Sequence, residues 1–214
     1  MRVLLFDTET NGLPKAWRAP PHQIDNWPRI LSIAWKMYEM NSAGVATELE
    51  RGYTLVKPEA STIWDADSAK IHGISREKAE AEGATAESVF TGFMNLARGA
   101  HLIVAHNIQF DKNVVLAELL RLNPRLVLNW WPRLEYCTCE GTTRIVKLPA
   151  AKPRPSDPYK RPKLAELYKF LFEVDGTFDY HTAAGDTECL SQCFIALVRR
   201  RLIPFELWER SLRV

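Results

Sequence analysis

The sequence predicts an α/β fold in which a mixed central sheet carries helices on both faces. Three observations support this prediction. The chain begins with a short apolar run, the next segments alternate apolar and polar residues, and the second half alternates short apolar runs with helical patterns. The chain has 214 residues, the length of one domain, and no convincing linker divides it. We therefore expect a single domain spanning residues 1–214.

The first half of the chain is expected to supply the antiparallel part of the sheet. Its predicted elements, in chain order, are a buried strand (2–6), a proline-rich aromatic loop (14–28), two meander strands (29–40 and 48–58) and two helices (61–73 and 85–99). The first helix is expected to begin at a Ser or Thr cap. Glycines, Gly73 and Gly99, end the two helices because glycine tolerates the backbone of a helix C-terminus.

The second half is expected to add parallel strands and their crossover helices. The predicted elements are a buried strand (101–107), a helix (108–122), a short strand near 134–138 with a helix after it, a proline-rich loop (149–163), and three helices (164–172, 183–201 and 204–212). Strands that alternate with helices in this way are typical of an α/β sheet.

Composition excludes several classes of protein. Hydrophobic residues make up 46% and charged residues 25% of the chain, and no apolar run reaches the ~18 residues of a membrane span. Asp7 interrupts the N-terminal apolar stretch, so we expect no signal peptide, no membrane association and an intracellular, cytoplasmic location. The net charge is only +2, so any affinity for nucleic acid must come from a local patch.

The cysteine pattern favours reduced thiols over a zinc site or a disulfide. Cys137 and Cys139 are closer in sequence than zinc ligands usually are, and Cys189 lies in a predicted amphipathic helix with Cys193. Buried thiols in a reducing compartment fit this pattern better.

Two Asp-Thr-Glu triplets occupy different kinds of element. On the first strand, Asp7 and Glu9 are two residues apart and point to the same side of the sheet. On the helix near the other end of the chain, Asp186 and Glu188 diverge, so only one of them can join any one site. The first triplet can therefore form a carboxylate pair, and the second cannot.

Two helix carboxylates head apolar stripes. Asp186 shares a helix face with Leu190, Cys193 and Leu197, and Asp111 begins the same kind of face in the helix 108–122. A buried carboxylate without a cation beside it is costly, and neither stripe carries Lys or Arg.

Convergence of four carboxylates would resolve this cost. Asp7, Glu9, Asp111 and Asp186 together would form an all-oxygen site for two divalent cations such as Mg²⁺ or Mn²⁺. Two ions about 4 Å apart can hold both oxygens of a phosphoryl in-line displacement.

Each piece taken alone has an ordinary structural explanation. Asn107 has the position of a helix cap, and His181 has that of a surface histidine. The order of the pieces carries the argument: a strand-end Asp-x-Glu, then AHNIQFD at a strand–helix junction, then HTAAGD at the start of a helix.

This ordered set resembles the DEDDh, or DnaQ-like, 3′–5′ exonuclease family. FDTETNGL resembles its first motif, VAHNIQFD its second and YHTAAGD its third, and the resemblance runs from Val3 to about Leu197. It also includes KIHGIS at 70–75 and RPKLAELYKFLF at 161–172. Ala184 and Gly185 depart from the bulkier residues often seen in the third motif, which puts the local helix start in question.

The resemblance implies a ribonuclease-H-like fold and a set of site roles. Asp7, Glu9 and Asp186 would hold one metal ion, with Asp7 bridging to a second that Asp111 supports. His181 would be the general base, since an imidazole with a pKa of about 6.5 suits that task. The product would be a 5′-nucleoside monophosphate.

The resemblance also implies substrate contacts. Main-chain groups of Thr8 and Thr10 and the side chain of Leu13 would touch the 3′-terminal nucleotide, and Asn107 would bind the penultimate one. His72 is expected near the site, either in contact with it or as a structural residue.

Two loops offer further contacts with nucleic acid. The basic loop 152–163 is either a single-strand-binding lip or a solvated loop. Trp17 and Trp27 of the loop 14–28 either stack on bases or hold that loop in place.

The expected function is therefore 3′–5′ exonuclease activity on DNA with a free 3′ end, with single strands preferred. Alternatives are a 3′–5′ exoribonuclease, because the 2′-OH is read by few contacts, a proofreading subunit that binds a polymerase, and a nucleic-acid-binding module without activity. A polymerase partner or a homodimer is compatible with the sequence. Glu188 is expected to be dispensable.

Overall fold

The computed structural model describes residues 1–126 and 131–203. The predicted helix 204–212 lies outside the described residues. The strands are β1 (Arg2–Thr10), β2 (Ile30–Met40), β3 (Ala46–Leu55), β4 (Leu102–Ala105), β5 (Leu134–Cys137), β6 (Pro149–Arg154) and β7 (Asp157–Tyr159). The helices are α1 (Ala66–His72), α2 (Arg76–Glu82), α3 (Ala86–Arg98), α4 (Ile108–Leu122), α5 (Thr138–Gly141), α6 (Thr143–Val146), α7 (Leu164–Phe172) and α8 (Ala183–Arg199), with a 3-10 turn at Ile24–Asn26.

The central sheet has five strands in the order β3-β2-β1-β4-β5. β1 and β3 both run antiparallel to β2, whereas β4 runs parallel to β1 and β5 parallel to β4. The prediction of a mixed sheet is thus confirmed. The long antiparallel strands come first in the chain, and the short parallel ones follow through the helical crossovers that parallel pairing requires.

The side chains of β1 alternate between two cores, one on each face of the sheet. Leu4 and Phe6 pack into a core with residues of α3 and α4. Val3 and Leu5 pack into a second core with residues of α7 and α8. The predicted placement of helices on both faces is therefore confirmed. Because side chains alternate along β1, residues after Phe6 also point alternately to the face of α7 and α8 and to the face of α3 and α4.

Several predicted elements differ from those observed. β1 continues to Thr10 rather than ending near residue 6, because its pairing with β2 runs from Arg2 to Thr10. The helix α1 begins later than expected: its cap is Asp65, whose side chain accepts from Ser68 N. The helix α2 was not predicted, although Ser75 caps it by accepting from the amide of Lys78.

The largest error concerns the predicted proline-rich loop 149–163. It contains a two-stranded antiparallel hairpin, β6–β7, with register pairs Pro149–Tyr159 and Arg154–Asp157. Proline removes a hydrogen-bond donor from a strand, but it is tolerated at irregular, edge-type positions such as these. The chain then leaves the hairpin and enters α7 at Leu164, as predicted.

Candidate active site

The end of β1 directs two carboxylates towards α8. Asp7 and Glu9 continue the odd-numbered face of β1, the face on which Val3 and Leu5 contact α8. Asp186 lies in the first turn of α8. Ligand oxygens of Asp7, Glu9 and Asp186 all lie within 4.8 Å of one another, and each of the three residues is half-buried. The pairing expected from the strand period and the helix stripe is therefore present.

The opposite face of β1 holds the fourth carboxylate. Thr8 points towards α4, where Asp111 is 3% exposed. Asp111 Oδ1 accepts hydrogen bonds from Thr8 N at 3.2 Å and from Thr8 Oγ1 at 2.8 Å. Asp111 does not belong to the group of three close carboxylates, yet its charge raises the pKa of Asp7.

Burial raises the pKa values of all four acids, and repulsion from the other carboxylates adds to the shift of Asp7 and Glu9. Burial and the charges of Asp111, Asp186 and Glu9 raise the pKa of Asp7 well above its ordinary value. Burial first, and then the charges of Asp186 and Asp111, raise the pKa of Glu9 to about 8.

For Asp111 and Asp186, burial is the main cause of the raised pKa. Burial raises the pKa of Asp111 to about 7, although the two Thr8 hydrogen bonds oppose the shift. The pKa of Asp186 also rises with burial, against the hydrogen bond from His181.

The donor set fits a divalent metal centre. Hard carboxylate oxygens are the ligands that Mg²⁺, Mn²⁺ and similar ions prefer. The acids around Asp7 repel one another, since the charges of Asp111, Asp186 and Glu9 all raise its pKa. A divalent cation held by Asp7, Glu9 and Asp186 would remove the repulsion that raises these pKa values.

His181 lies beside the cluster on an irregular segment before α8. Its backbone has φ of 64°, in the left-handed region, and its amide donates to Asp186 Oδ2 at 3.1 Å. The side chain is exposed and lines the same cleft as Asp7 and Asp186. The backbone of His181 thus orients a carboxylate, while its imidazole remains available to solvent and substrate.

The departures from the third motif do not disturb the start of α8. Thr182 caps the helix, with its Oγ1 accepting from Gly185 N at 3.1 Å and donating to Asp179 O at 2.7 Å. A Cβ at Gly185 would meet Asp179 O at 2.1 Å, so the close turn requires glycine there. The question that Ala184 and Gly185 raised about the helix start is answered by this packing.

A cleft of about 800 Å³ opens over the cluster. Asp7 and Asp186 line it together with Trp17, Asn107, Tyr180 and His181. Its remaining lining residues include His106, Cys139 and the segment 161–165 that leads from the hairpin into α7.

His106 joins the segment after the hairpin to the sheet. Its Nε2 lies 3.0 Å from Pro162 O and its Nδ1 lies 3.0 Å from Thr138 Oγ1. A carbonyl only accepts, so Nε2 carries the proton and Nδ1 accepts from the hydroxyl of Thr138. Burial lowers the pKa of His106 to about 4, which keeps the ring neutral at pH 7.

The residues expected to contact substrate differ in their exposure and in the hydrogen bonds that they already make. Leu13 is 73% exposed. Asn107 has φ of 77° and makes no side-chain cap to α4, so the capping explanation does not hold and its amide is free to face the cleft. Thr8 uses its amide and hydroxyl on Asp111, and Thr10 Oγ1 donates to Gly12 O at 2.7 Å.

Glu188 takes no part in the carboxylate cluster. It forms a salt bridge with Lys36 and accepts from Gln192 Nε2 at 2.9 Å. The ammonium of Lys36 also lies 3.5 Å from Glu48. Asp186 and Glu188 thus diverge from the helix as their spacing predicts.

His72 lies in a smaller neighbouring pocket that also includes Tyr180 and Thr182. Its Nδ1 accepts from Ile74 N at 3.0 Å, and the residue is 6% exposed.

The four cysteines are free thiols; Cys139, Cys189 and Cys193 are buried, and Cys137 is half-buried. In the part of the chain that the structure describes, no helix is both long enough and apolar enough to span a membrane.

Sequence reasoning missed two features of the cleft. The first is the link from His106 to Pro162, which was hidden because the partners are 56 residues apart. The second is the hydrogen bond from Thr8 to Asp111. The sequence contains a signal for it: Thr8 lies between Asp7 and Glu9, which point to one face of the sheet, so Thr8 must point to the other face.

Several solved structures have a fold similar to that of this chain. E. coli Exonuclease I in a zinc-bound complex with single-stranded DNA has a TM-score of 0.69 at 16% identity, covering 98% of this chain and 42% of that one. Exonuclease I from Methylocaldum szegediense has a TM-score of 0.66 at 16% identity, covering 99% and 43%. The E. coli enzyme with a dA16 oligonucleotide has a TM-score of 0.66 at 15% identity, covering 98% and 42%.

These likenesses show a shared ribonuclease-H-like fold, and the chain spans less than half the length of those Exonuclease I chains. No curated protein compared with this chain matches it. The exonuclease family RNase_T matches residues 4–194, which include all three motifs and all four acids of the site. The resemblance to DEDDh exonucleases is thereby confirmed, and the chain belongs to this exonuclease family.

Proposed function

We propose that this protein is a metal-dependent 3′–5′ exonuclease that removes nucleotides from single-stranded DNA. One observation carries the proposal: Asp7, Glu9 and Asp186 have ligand oxygens within 4.8 Å of one another, and Asp7 and Asp186 line a cleft that the exposed His181 also lines. Membership of the exonuclease family agrees with this chemistry. Exonuclease I structures of the same fold contain single-stranded DNA oligonucleotides, which supports DNA as the substrate.

The four acids would share two Mg²⁺ ions, with Mn²⁺ able to substitute. Asp7, Glu9 and Asp186 would hold one ion, and Asp7 with Asp111 the other. When bound, the ions would supply Lewis-acid activation of water and neutralise charge on the phosphodiester. The raised pKa values of Asp7 and Glu9 support this role, because they reflect burial and repulsion between carboxylates, and a bound cation would relieve that repulsion.

His181 would act as the general base. Its imidazole would accept a proton from the attacking water, whose oxygen forms a bond to phosphorus. The bond from phosphorus to the 3′ oxygen of the preceding nucleotide breaks, and that oxygen takes up a proton. The products are a 5′-nucleoside monophosphate and a strand shortened by one nucleotide with a new 3′-hydroxyl.

Four residues near the start of the chain and at the start of α4 would position the 3′ end. Leu13 would pack on the terminal base, a contact that tolerates any base because every base has an apolar face. Asn107 would bind the penultimate nucleotide, and main-chain groups of Thr8 and Thr10 would contact the terminal one. The amide of Thr8 already donates to Asp111. Thr8 would therefore contact the nucleotide through its carbonyl, or would act only by positioning Asp111.

We also propose that residues 1–214 form one exonuclease domain located in the cytoplasm. The packing of the described residues around one central sheet supports the first point, and the four free thiols support the second. A polymerase partner and a homodimer stay predictions from the sequence. The exoribonuclease alternative is tested directly by the experiment below.

The test uses single-stranded DNA and RNA oligonucleotides of matched sequence, each labelled at the 5′ end. With Mg²⁺ we expect a ladder that shortens from the 3′ end on DNA, and no ladder with EDTA or with Asp186→Asn. A 3′-phosphorylated copy of each strand serves as a control for the free end. Faster shortening of RNA would replace DNA with RNA in the proposal, and intact strands with both Mg²⁺ and Mn²⁺ would reject it.

A further inference from the structure

Trp17 presents an exposed aromatic surface at the mouth of the cleft. Its side chain is among the most exposed large apolar ones, at 53%, although burial of an indole would be favourable. The ring packs against Phe110 of α4 with centroids 5.8 Å apart and planes inclined by 47°. Trp17 lines the same cleft as Asp7 and Asp186. The indole is therefore supported by Phe110 and still half exposed in the cleft that Asp7 and Asp186 also line.

The loop that carries Trp17 is held in place before any ligand binds. Asn26 pairs with the backbone of Ala16, accepting from its amide at 2.7 Å and donating to its carbonyl at 3.0 Å. Arg121 of α4 donates to the carbonyls of Ile24 and Trp27, each at 2.6 Å.

The two tryptophans of this loop thus have different roles. Trp27 is 4% exposed and belongs to the core, so it anchors the loop, whereas Trp17 remains exposed. A preorganised loop loses little conformational entropy when a ligand binds to it.

The segment after the β6–β7 hairpin supplies positive charge to the same cleft. Arg161 and Lys163 are exposed and line it, on either side of the buried Pro162. Pro162 is fixed through its carbonyl to His106, which holds this segment at the cleft that Asp7 and Asp186 also line. Arg161 pairs with Glu140 at 2.5 Å, but both partners are more than half exposed, so this pair contributes little and a phosphate can replace the carboxylate.

We propose that Trp17 stacks on a base upstream of the 3′-terminal nucleotide while Arg161 and Lys163 bind phosphates of the same strand. This inference rests on the proposed exonuclease function and assigns two subsites to it. An aromatic face combined with nearby cations is the chemistry that binds single strands without regard to sequence. Because a base within a duplex is already stacked and paired, this contact selects unpaired 3′ ends.

Loss of Trp17 should affect the cleavage of a strand and the cleavage of a single nucleotide ester differently. Thymidine 5′-(4-nitrophenyl phosphate) has one base and one phosphodiester, so it offers the carboxylates a bond to cleave but gives Trp17 no upstream base to stack on. An oligonucleotide occupies both the carboxylates and the stacking position. Loss of the Trp17 side chain is therefore expected to slow cleavage of the oligonucleotide and not cleavage of the ester.

The experiment compares kcat/KM for this ester and for a 5′-labelled single-stranded DNA oligonucleotide. For Trp17→Ala we expect roughly tenfold or greater loss on the oligonucleotide, the scale of one base-stacking contact, with no change on the ester. Trp17→Phe should retain most of the activity. Phe170→Ala removes another exposed aromatic side chain, one outside the cleft, and should leave both substrates unaffected.

Salt dependence tests the two cations separately. Each lost phosphate contact should reduce the slope of log affinity against log salt by about 0.7 for a single strand. Arg161→Ala and Lys163→Ala should each show this reduction, whereas Trp17→Ala should lower affinity and leave the slope unchanged. Lys57→Ala, at an exposed lysine outside the cleft, serves as the charge control.

Three outcomes would overturn the proposal, and they can be told apart. Equal loss on ester and oligonucleotide in Trp17→Ala would make Trp17 a structural residue of the active site. Unchanged oligonucleotide cleavage in that variant, with the ester still cleaved, would remove Trp17 from the substrate path. If the wild-type protein cleaved neither substrate, the proposed function itself would fail, and this inference with it.

Discussion

Thr8 and Asp111 join two elements that carry acids of the site. Asp111 Oδ1 accepts from both the amide and the hydroxyl of Thr8, at 3.2 and 2.8 Å, and so connects α4 to the middle of the Asp-Thr-Glu triplet on β1. The residues on either side of Thr8 point to the opposite face, where Asp186 of α8 meets them. One strand therefore positions acids on both of its faces through the period of two.

Removing the Thr8 hydroxyl should weaken metal binding. Thr8→Val keeps the shape and the amide donor but removes the hydrogen bond to a charged acceptor, which typically contributes about 1.5–3 kcal/mol. The pKa of Asp111 should rise further, because that hydrogen bond lowers it. We expect weaker Mn²⁺ binding by calorimetry in Thr8→Val, and near wild-type binding in the control Thr8→Ser. Equal affinity in all three proteins would show that the hydroxyl does not support the site.

Asp111→Asn should stabilise the metal-free protein at alkaline pH. Burial raises the folded-state pKa of Asp111 to about 7, so folding favours the protonated acid. Its contribution to stability is complete below the unfolded pKa of about 4 and is lost as the pH rises through about 7. The side-chain amide of the variant does not ionise, and its oxygen can still accept from Thr8.

Melting in EDTA at about pH 5 and about pH 8.5 checks this sign. The advantage of Asp111→Asn over the wild type should grow with pH, and Mn²⁺ should stabilise the wild type more than the variant. An advantage that shrank towards alkaline pH would mean that Asp111 is stabilised as the carboxylate by a partner other than metal.

The two acids of the second Asp-Thr-Glu triplet should differ in activity. Asp186→Asn removes a member of the carboxylate cluster and should abolish cleavage of the labelled DNA strand. Glu188→Gln should retain most activity, because Glu188 pairs with Lys36 outside the cluster. A Glu188→Gln protein as inactive as Asp186→Asn, with an unchanged melting temperature, would refute the assignment.

Gly185→Ala should destabilise the protein through the segment that holds His181. A Cβ there would lie 2.1 Å from Asp179 O, so the turn must shift at a cost of about 1–3 kcal/mol. Gly92→Ala in α3 is the matched control, since a Cβ there meets nothing within 4 Å and alanine favours a helix interior. Urea unfolding should rank Gly92→Ala at or above wild type and Gly185→Ala below it. The reverse order would disprove this account of the turn.

Local signals allowed much of the fold to be predicted. The helix α4 runs from Ile108 to Leu122 as expected, because its apolar spacing is unbroken between the turn at Asn107 and Asn123. α7 was likewise predicted at its observed bounds, Leu164–Phe172. The meeting of Asp7 and Glu9 with Asp186 followed from strand and helix periods combined with the order of the motifs.

What the sequence did not reveal depends on contacts between distant residues. The sequence predicts a loop where the β6–β7 hairpin lies, because its prolines suppress the usual strand pattern and pairing across the hairpin determines its structure. The different burial of Trp17 and Trp27 also has no local signal. Trp27 packs into the core with residues of α4, and Arg121 of that helix donates to its carbonyl, whereas Trp17 packs against the side chain of Phe110 and stays exposed.

Binding of Mn²⁺ to the wild-type protein tests the central claim most directly, measured by loss of the free-ion signal in electron paramagnetic resonance. We predict that the protein binds Mn²⁺, that binding tightens as the pH rises through the raised pKa of Glu9 at about 8, and that Asp186→Asn weakens it strongly. An undiminished free-ion signal in the presence of the folded wild-type protein, at alkaline pH as well as at neutral pH, would contradict the claim that these carboxylates form a metal site.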